Sequence, residues 1–390
     1  MFTSEYFDQF VNRTQTDSIK WNKTKADGTA VSNPMWIADM DFACPPAVVE
    51  AMVKRASHPI YGYTEQNNES KDAFVQFMKR RHNLTITQDD VILLPCVITG
   101  LLVAINCFSE KGDGVIYQSP VYGPFSGSIQ KQGRTPISCP LIKDENNNYT
   151  MDFNSIEEAC KNGAKMMLLC NPHNPVGRAW TEEELSTLYT LLKRYNVFLV
   201  SDEIHQDFIM PSHKFTSMLS FVTDEKEKVI TLTSASKTFN LAGLHQAMLI
   251  SKDPEARNNV TTHLDATGTM AANIFGLVAT QAAYEKGDEW LDGLLAYINL
   301  GYKKLCDAIA TNLPKAIVSP LESTYLAWID LNAYGLSTQQ IIERTLENGV
   351  ALTPGTDFGV EGEGFIRLNM ACPHSRIIDT IVALKNAISK

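Results

Sequence analysis

"KVITLTSASKTFNLAGL", residues 228–244, is the stretch on which the reading of the fold turns. It opens with a short run of apolar and β-branched residues, Val229 to Leu232, and passes into small hydroxyl residues. A single lysine, Lys237, then stands ahead of a glycine-containing segment. A run this short, closed by turn-forming residues, predicts a buried strand rather than a helix. A lysine just beyond the carboxyl end of such a strand stands where open α/β sheets gather their ligands.

The same pattern repeats outward from this point. "VILLP" (91–95), "GVIYQ" (114–118), "KMMLLC" (165–170), "VFLVS" (197–201) and "AMLIS" (247–251) are further short apolar runs. Between two of them "TEEELSTLYTLLKRYN" (181–196) predicts an amphipathic helix. Thr181 opens it, and Glu184 three residues on completes a capping box. Apolar runs separated by helices predict a mainly parallel sheet covered on both faces. From about residue 288 the pattern changes to a long helix, then "TYLAWIDL", another helix and "GFIRLNM". This predicts a large α/β domain over residues 45–287 and a smaller α+β domain from residues 1–44 and 288–390.

Residues just beyond the carboxyl end of each run are the candidates for a site. After five of the runs come the helix opening at Val97 and Ile98, "SPVYGPF", "NPHNPVG", "DEIHQD" and "SASKTFN". Polar, aromatic and ionisable residues therefore gather at one sheet edge.

Composition limits the alternatives. The chain has 390 residues, enough for two domains, with 44% hydrophobic and 20% charged residues, as globular proteins have. A formal charge of −10 argues against nucleic acid or an anionic membrane as partner. The first residues lack a basic segment followed by an apolar one, so no secretory signal is expected. The uncharged stretch 91–108 reads as a buried strand running into a buried helix, because Pro95, Gly100 and Asn106 interrupt it. Eight cysteines lie scattered without a C-x-x-C pair, which favours inert core thiols and a reducing cytoplasm.

Each site residue has an ordinary reading when taken alone. Asp202 could cap the segment after its strand, "NPHNPVG" is first of all a turn, and Tyr122 could be core. Asp202, Glu203, His205 and Asp207 alternate faces on an extended chain, which makes a poor metal cluster. Together, however, they fit one cofactor. Pyridoxal phosphate needs a lysine for a Schiff base, a carboxylate for its ring nitrogen and a cradle for its phosphate.

"SDEIHQDF" (201–208), "NPHNPVG" (171–177) and "SASKTFNLAGL" (234–244) resemble the class I/II pyridoxal-phosphate enzymes of fold type I. "WIADMDF" (36–42), "HPIYGYT" (58–64), "STYLAWIDL" (323–331) and "FIRLNMACP" (365–373) resemble, more narrowly, the cystathionine β-lyase or C-S lyase branch. The resemblance implies a seven-stranded, mainly parallel sheet in the large domain. It implies Lys237 as Schiff-base lysine and then base, Asp202 on the ring nitrogen, Asn174 and His205 at the ring's 3-oxygen, and Tyr122 stacked on the ring. It gives the phosphate to Ser234, Ser236 and the amides of Val97 and Ile98, and the substrate carboxylate to Arg367, with Tyr122 and Asn174 also lining the substrate. Tyr63 would reach the neighbouring subunit's phosphate, making a homodimer with shared sites. One position departs from the pattern: His245 stands where many aminotransferases carry a phosphate-binding arginine.

The function implied is cleavage of L-cystathionine or a related cysteine S-conjugate to pyruvate, ammonia and a thiol. An aminotransferase would use the same residues up to the fate of the carbanion. A third reading, a catalytically silent regulator, is opposed by the presence of both Lys237 and Arg367.

Overall fold

The computed structural model describes residues 2–66, 68–270 and 272–389. Its centre is a seven-stranded sheet. In chain order the strands are β1 (Val91–Leu94), β2 (Gly114–Tyr117), β3 (Thr135–Ser138), β4 (Met166–Cys170), β5 (Phe198–Asp202), β6 (Val229–Thr233) and β7 (Ala247–Ile250). They lie side by side as β1-β7-β6-β5-β4-β2-β3. Only β7 opposes the others, pairing antiparallel with both β1 and β6.

The unbroken apolar runs follow from burial on both faces. Along β7, Met248 and Ile250 enter one apolar cluster while Ala247 and Leu249 enter the other. β4 divides in the same way, Met167 and Leu169 against Met166 and Leu168. Alternate side chains of a strand point to opposite faces, so a sheet with helices on both sides needs apolar residues at every position. β3, "TPIS", lies at the sheet margin and carries Pro136, which an edge strand tolerates. Its mixed exposure explains why no apolar run announces it.

A four-stranded sheet holds β8 (Ile317–Val318), β9 (Leu326–Asp330), β10 (Thr353–Pro354) and β11 (Phe365–Asn369), in the order β8-β9-β11-β10. All its named neighbours pair antiparallel. Residues 33–34 add a short parallel pair to 350–351. The apolar cluster on one face of the large sheet continues through Leu326, Trp328, Ile366 and Leu368 of the small one. That shared core holds β11, and Arg367 with it, against the carboxyl edge of the large sheet.

Among the helices are α1 (Asn68–His82), α2 (Val97–Phe108), α3 (Glu182–Arg194), α4 (Ala235–Thr238) and α5 (Asp288–Asn312). α3 begins as expected. Thr181 Oγ1 accepts from the Glu184 amide at 3.2 Å, and the Glu184 carboxylate accepts from the Thr181 amide at 2.8 Å. α5 is the long helix anticipated near residue 288. Among the described residues no helix is long and apolar enough to cross a membrane.

Candidate active site

The carboxyl ends of β1, β2, β4, β5 and β6 open onto one cleft of about 500 Å³. Because β7 runs the other way, its start brings His245 and Gln246 to the same edge. Every site residue expected from the sequence lines this cleft except Tyr63. Tyr63 is fully exposed in the segment that also exposes Ile60 and Tyr61.

Lys237 belongs to α4, the single turn after β6. Its Nζ donates to the carbonyl of Ala38 at 2.6 Å. Burial, with Arg367 adding to it, pulls the ammonium down to about 8, against the pull of Asp39 and Asp202. A desolvated amine beside another cation loses its proton more readily, which suits a nucleophile or base. Ser234 caps the turn, accepting from the Ser236 amide at 2.9 Å. Its hydroxyl hydrogen goes to Gln246 O at 2.6 Å, so contact with a phosphate requires that bond to switch. The Ser236 hydroxyl has no partner among the described residues.

Asp202 closes β5 and is buried. Its carboxylate accepts from the Ile204 amide at 3.1 Å, and burial raises the group to about 7. His205 is also buried, and its Nδ1 lacks a partner. Burial, then the charges of Lys237 and Arg367, depress it to about 3, so the ring is neutral at physiological pH. Asp207, two residues on, faces away from the cleft. It takes a bond from Thr238 Oγ1 at 2.6 Å and meets His82 Nε2 at 2.6 Å, tying α4 to the end of α1.

Arg367 is the most informative side chain. It is 5% exposed and has no carboxylate within ion-pair distance among the described residues. One terminal nitrogen donates to Asn174 Oδ1 at 3.1 Å. The other reaches Trp36 O at 2.9 Å and Thr353 Oγ1 at 3.3 Å. Nε is buried and unpartnered, and the guanidinium lies over the Phe358 ring at 4.8 Å. Burial lowers it to about 10, which still leaves it charged. A buried charge without a counterion is costly, and such a site is made for an anion. Because Asn174 gives Arg367 its oxygen, its NH₂ remains for another acceptor. The Tyr122 amide donates to Asn174 O at 3.2 Å, which fixes the aromatic residue beside the asparagine.

At the other end of the cleft α2 begins without a side-chain cap. The amides of Val97 and Ile98 have no described partner, a natural anion site at a helix N-terminus. Among the described residues, no arginine or lysine other than Lys237 and Arg367 lines the cleft. The missing arginine is thus not replaced within this chain's cleft; His245, exposed and in the left-handed region at φ 49°, stands there.

An orphaned helix start, a strand-end carboxylate, a lysine, a free amide NH₂ and an orphaned buried imidazole nitrogen converge here. The set matches the phosphate, ring nitrogen, aldehyde and 3-oxygen of pyridoxal phosphate.

Sequence reasoning did not single out the carbonyls of Trp36 and Ala38, nor Tyr325, Thr353 or Asp357. Tyr325 donates to Ala38 O at 3.0 Å, the same oxygen that holds Lys237. "WIADMDF" and "STYLAWIDL" contain three of these positions, but a backbone carbonyl has no residue type to betray it.

Comparison with known proteins bears on the same site. The family model for aminotransferase class I and II matches residues 36–383. Cystathionine beta-lyase PatB of Bacillus subtilis is 38% identical over 386 residues, covering 98% of this chain and all of the relative. Cystalysin from Treponema denticola, solved with a pyridoxal 5'-phosphate cofactor, superposes with a TM-score of 0.93 at 33% identity, covering 100% of this chain and 98% of that one. A PLP-bound C-S lyase from Staphylococcus hominis gives 0.91 at 31% identity, covering 98% of each chain.

Proposed function

This chain belongs to the aminotransferase class I and II family and is a pyridoxal-phosphate enzyme of fold type I; from that premise we propose that it is a carbon–sulfur β-lyase. Its substrate is L-cystathionine or a related cysteine S-conjugate, released as pyruvate, ammonia and a thiol. The observation that carries an amino-acid substrate is Arg367, a buried guanidinium waiting for a carboxylate. The relatives named for C–S cleavage support the lyase branch over amino transfer.

When bound, the cofactor supplies an electron sink for the pair left by a departing α-proton. The chain's residues do the rest. Arg367 would grip the α-carboxylate bidentately and so fix how the bonds at Cα are oriented. Lys237, already inclined to be neutral, takes the proton at Cα. Asp202 would hold a proton at the ring nitrogen, and Asn174 and His205 would bind the 3-oxygen. Tyr122 would form a wall for the ring, and Ser234, Ser236 and the Val97 and Ile98 amides would hold the phosphate. A thiolate at Cβ can leave once Cα is deprotonated, whereas an alkyl arm cannot. The purified holoenzyme should therefore release pyruvate and homocysteine from L-cystathionine without any 2-oxo acid. Amino transfer to a 2-oxo acid that outruns thiol release at matched concentration would overturn the lyase reading.

We also propose a homodimer in which Tyr63 completes the partner's phosphate site. Exposed Ile60, Tyr61 and Tyr63 in one short segment support a covered surface. Mixing Tyr63→Ala and Lys237→Ala chains should restore part of the activity; proven heterodimers without recovery would contradict shared sites. The pairing of 33–34 with 350–351 supports domains of residues 45–287 and of 1–44 with 288–390. Eight free cysteines suit a reducing cytoplasm.

A further inference from the structure

Lysine, arginine and carboxylate side chains line the cleft at four positions, and Lys237, Arg367 and Asp202 already have roles in the chemistry. The fourth is Asp357, on the short 3₁₀ turn Gly355–Phe358. The turn is pinned beside the Tyr122 loop, where Phe358 O accepts from the Val121 amide at 2.9 Å. The Asp357 carboxylate makes no hydrogen bond or ion pair with any described residue. It does not pair with Arg367, whose terminal nitrogens go to Asn174, Trp36 and Thr353. It is exposed and lines the cleft, as Thr353 and Trp36 also do. An unpaired carboxylate next to the carboxylate-binding arginine does nothing for the α-carboxylate and repels a second one. It is placed to accept from a cation on the arm that leaves.

We infer that Asp357 is a specificity residue that favours cysteine conjugates whose sulfur arm ends in an ammonium group with no carboxylate beside it, such as an S-aminoalkyl cysteine, over neutral or acidic arms. This rests on the reading that the cleft binds an α-amino acid at Arg367. It also gives direction: with Arg367 at one end and Asp357 at the arm, a dipolar substrate fits one way round.

The test uses amino acids in which a methylene replaces the sulfur, so that no elimination can occur. L-lysine, L-norleucine and L-2-aminoadipate present cationic, neutral and anionic arms on the same stem. Their dissociation constants for the holoenzyme are measured by calorimetry, for wild type and Asp357→Asn. Wild type should bind lysine roughly tenfold more tightly than norleucine, the scale of one charge-assisted contact, and aminoadipate most weakly. In Asp357→Asn the ratio of lysine to norleucine should fall to about one, since only the neutral donor and acceptor remain. Equal binding of lysine and norleucine by wild type, or a lysine preference that survives Asp357→Asn, overturns the inference while the lyase reading stands. If none of the three binds, the cleft does not take α-amino acids, and both fall. The matching kinetic series compares thiol release from S-(2-aminoethyl)-, S-ethyl- and S-carboxymethyl-L-cysteine. Loss of turnover on all three with the binding order intact would sink the lyase reading alone.

Discussion

Two groups of largely buried charges attach to one stretch of chain, residues 36–42. In one, Asp39 and Asp41 meet Arg13 and Lys20. Arg13 bonds Asp39 at 2.8 Å and Asp41 at 3.0 Å; Lys20 Nζ bonds Asp41 at 3.0 Å, and Trp21 Nε1 does so at 2.9 Å. In the other the carbonyls of Trp36 and Ala38 hold Arg367 and Lys237, with no carboxylate among the described residues in contact. Both groups are largely withdrawn from water, but only the first is internally satisfied. A satisfied cluster fastens the N-terminal segment to the body of the protein. An unsatisfied one stores an electrostatic demand that a cofactor and substrate can meet. The difference separates structural from functional charge without reference to residue type.

Breaking the satisfied cluster should have the largest effect, and on stability. Asp41→Ala leaves Lys20 and Arg13 short of a partner in a buried setting. A loss of about 3–5 kcal/mol is expected, seen as a lower midpoint in chemical denaturation. An unchanged midpoint would mean that the cluster fastens nothing.

The unsatisfied group should respond the other way. Arg367→Met keeps an apolar stem and removes a charge that lacks a counterion. Stability should hold or rise, while kcat/KM for L-cystathionine falls roughly 10²-fold, as loss of a bidentate carboxylate contact implies. A stability loss with intact kcat/KM would place Arg367 among the structural charges.

A gentler probe is pH. Lys237 must be neutral to capture an aldehyde, and its ammonium is drawn down to about 8. The capture rate of pyridoxal phosphate by cofactor-free protein, followed by absorbance, should climb about tenfold per unit up to pH 8 and then level off. For an unshifted lysine the climb would continue toward about 10.4. Since Arg367 helps to lower Lys237, Arg367→Met should move the break upward.

Much of the site is legible in the sequence because it rests on side-chain identity at strand ends. Lys237 after β6, Asp202 at the end of β5 and Asn174 after β4 follow from short apolar runs closed by polar residues. Six of the seven strands show as apolar runs for the same reason, since burial on both faces forbids polar alternation. β3 is silent because an edge strand need not be apolar. That β7 opposes its neighbours is equally hidden, because buried strands of either direction carry the same residues. The shared core that brings Arg367 within 3.1 Å of Asn174, 193 residues away, depends on packing that no local pattern records. Asp357 stays invisible because it sits in an irregular turn with no periodic pattern around it. The commitment of the Ser234 hydroxyl to Gln246 O is hidden too, since a main-chain acceptor leaves no mark on composition.

The two groups along residues 36–42 each hold one lysine: Lys20, paired with Asp41, and Lys237, without a carboxylate partner among the described residues. Borohydride reduction of the yellow holoenzyme, followed by proteolysis and mass spectrometry, asks directly which one the chemistry uses. The visible band should bleach, and one pyridoxyl group per chain should be found on Lys237, with Lys20 unmodified. A pyridoxyl group on Lys20 or any other lysine, or none at saturating cofactor, would contradict the division into structural and functional charge.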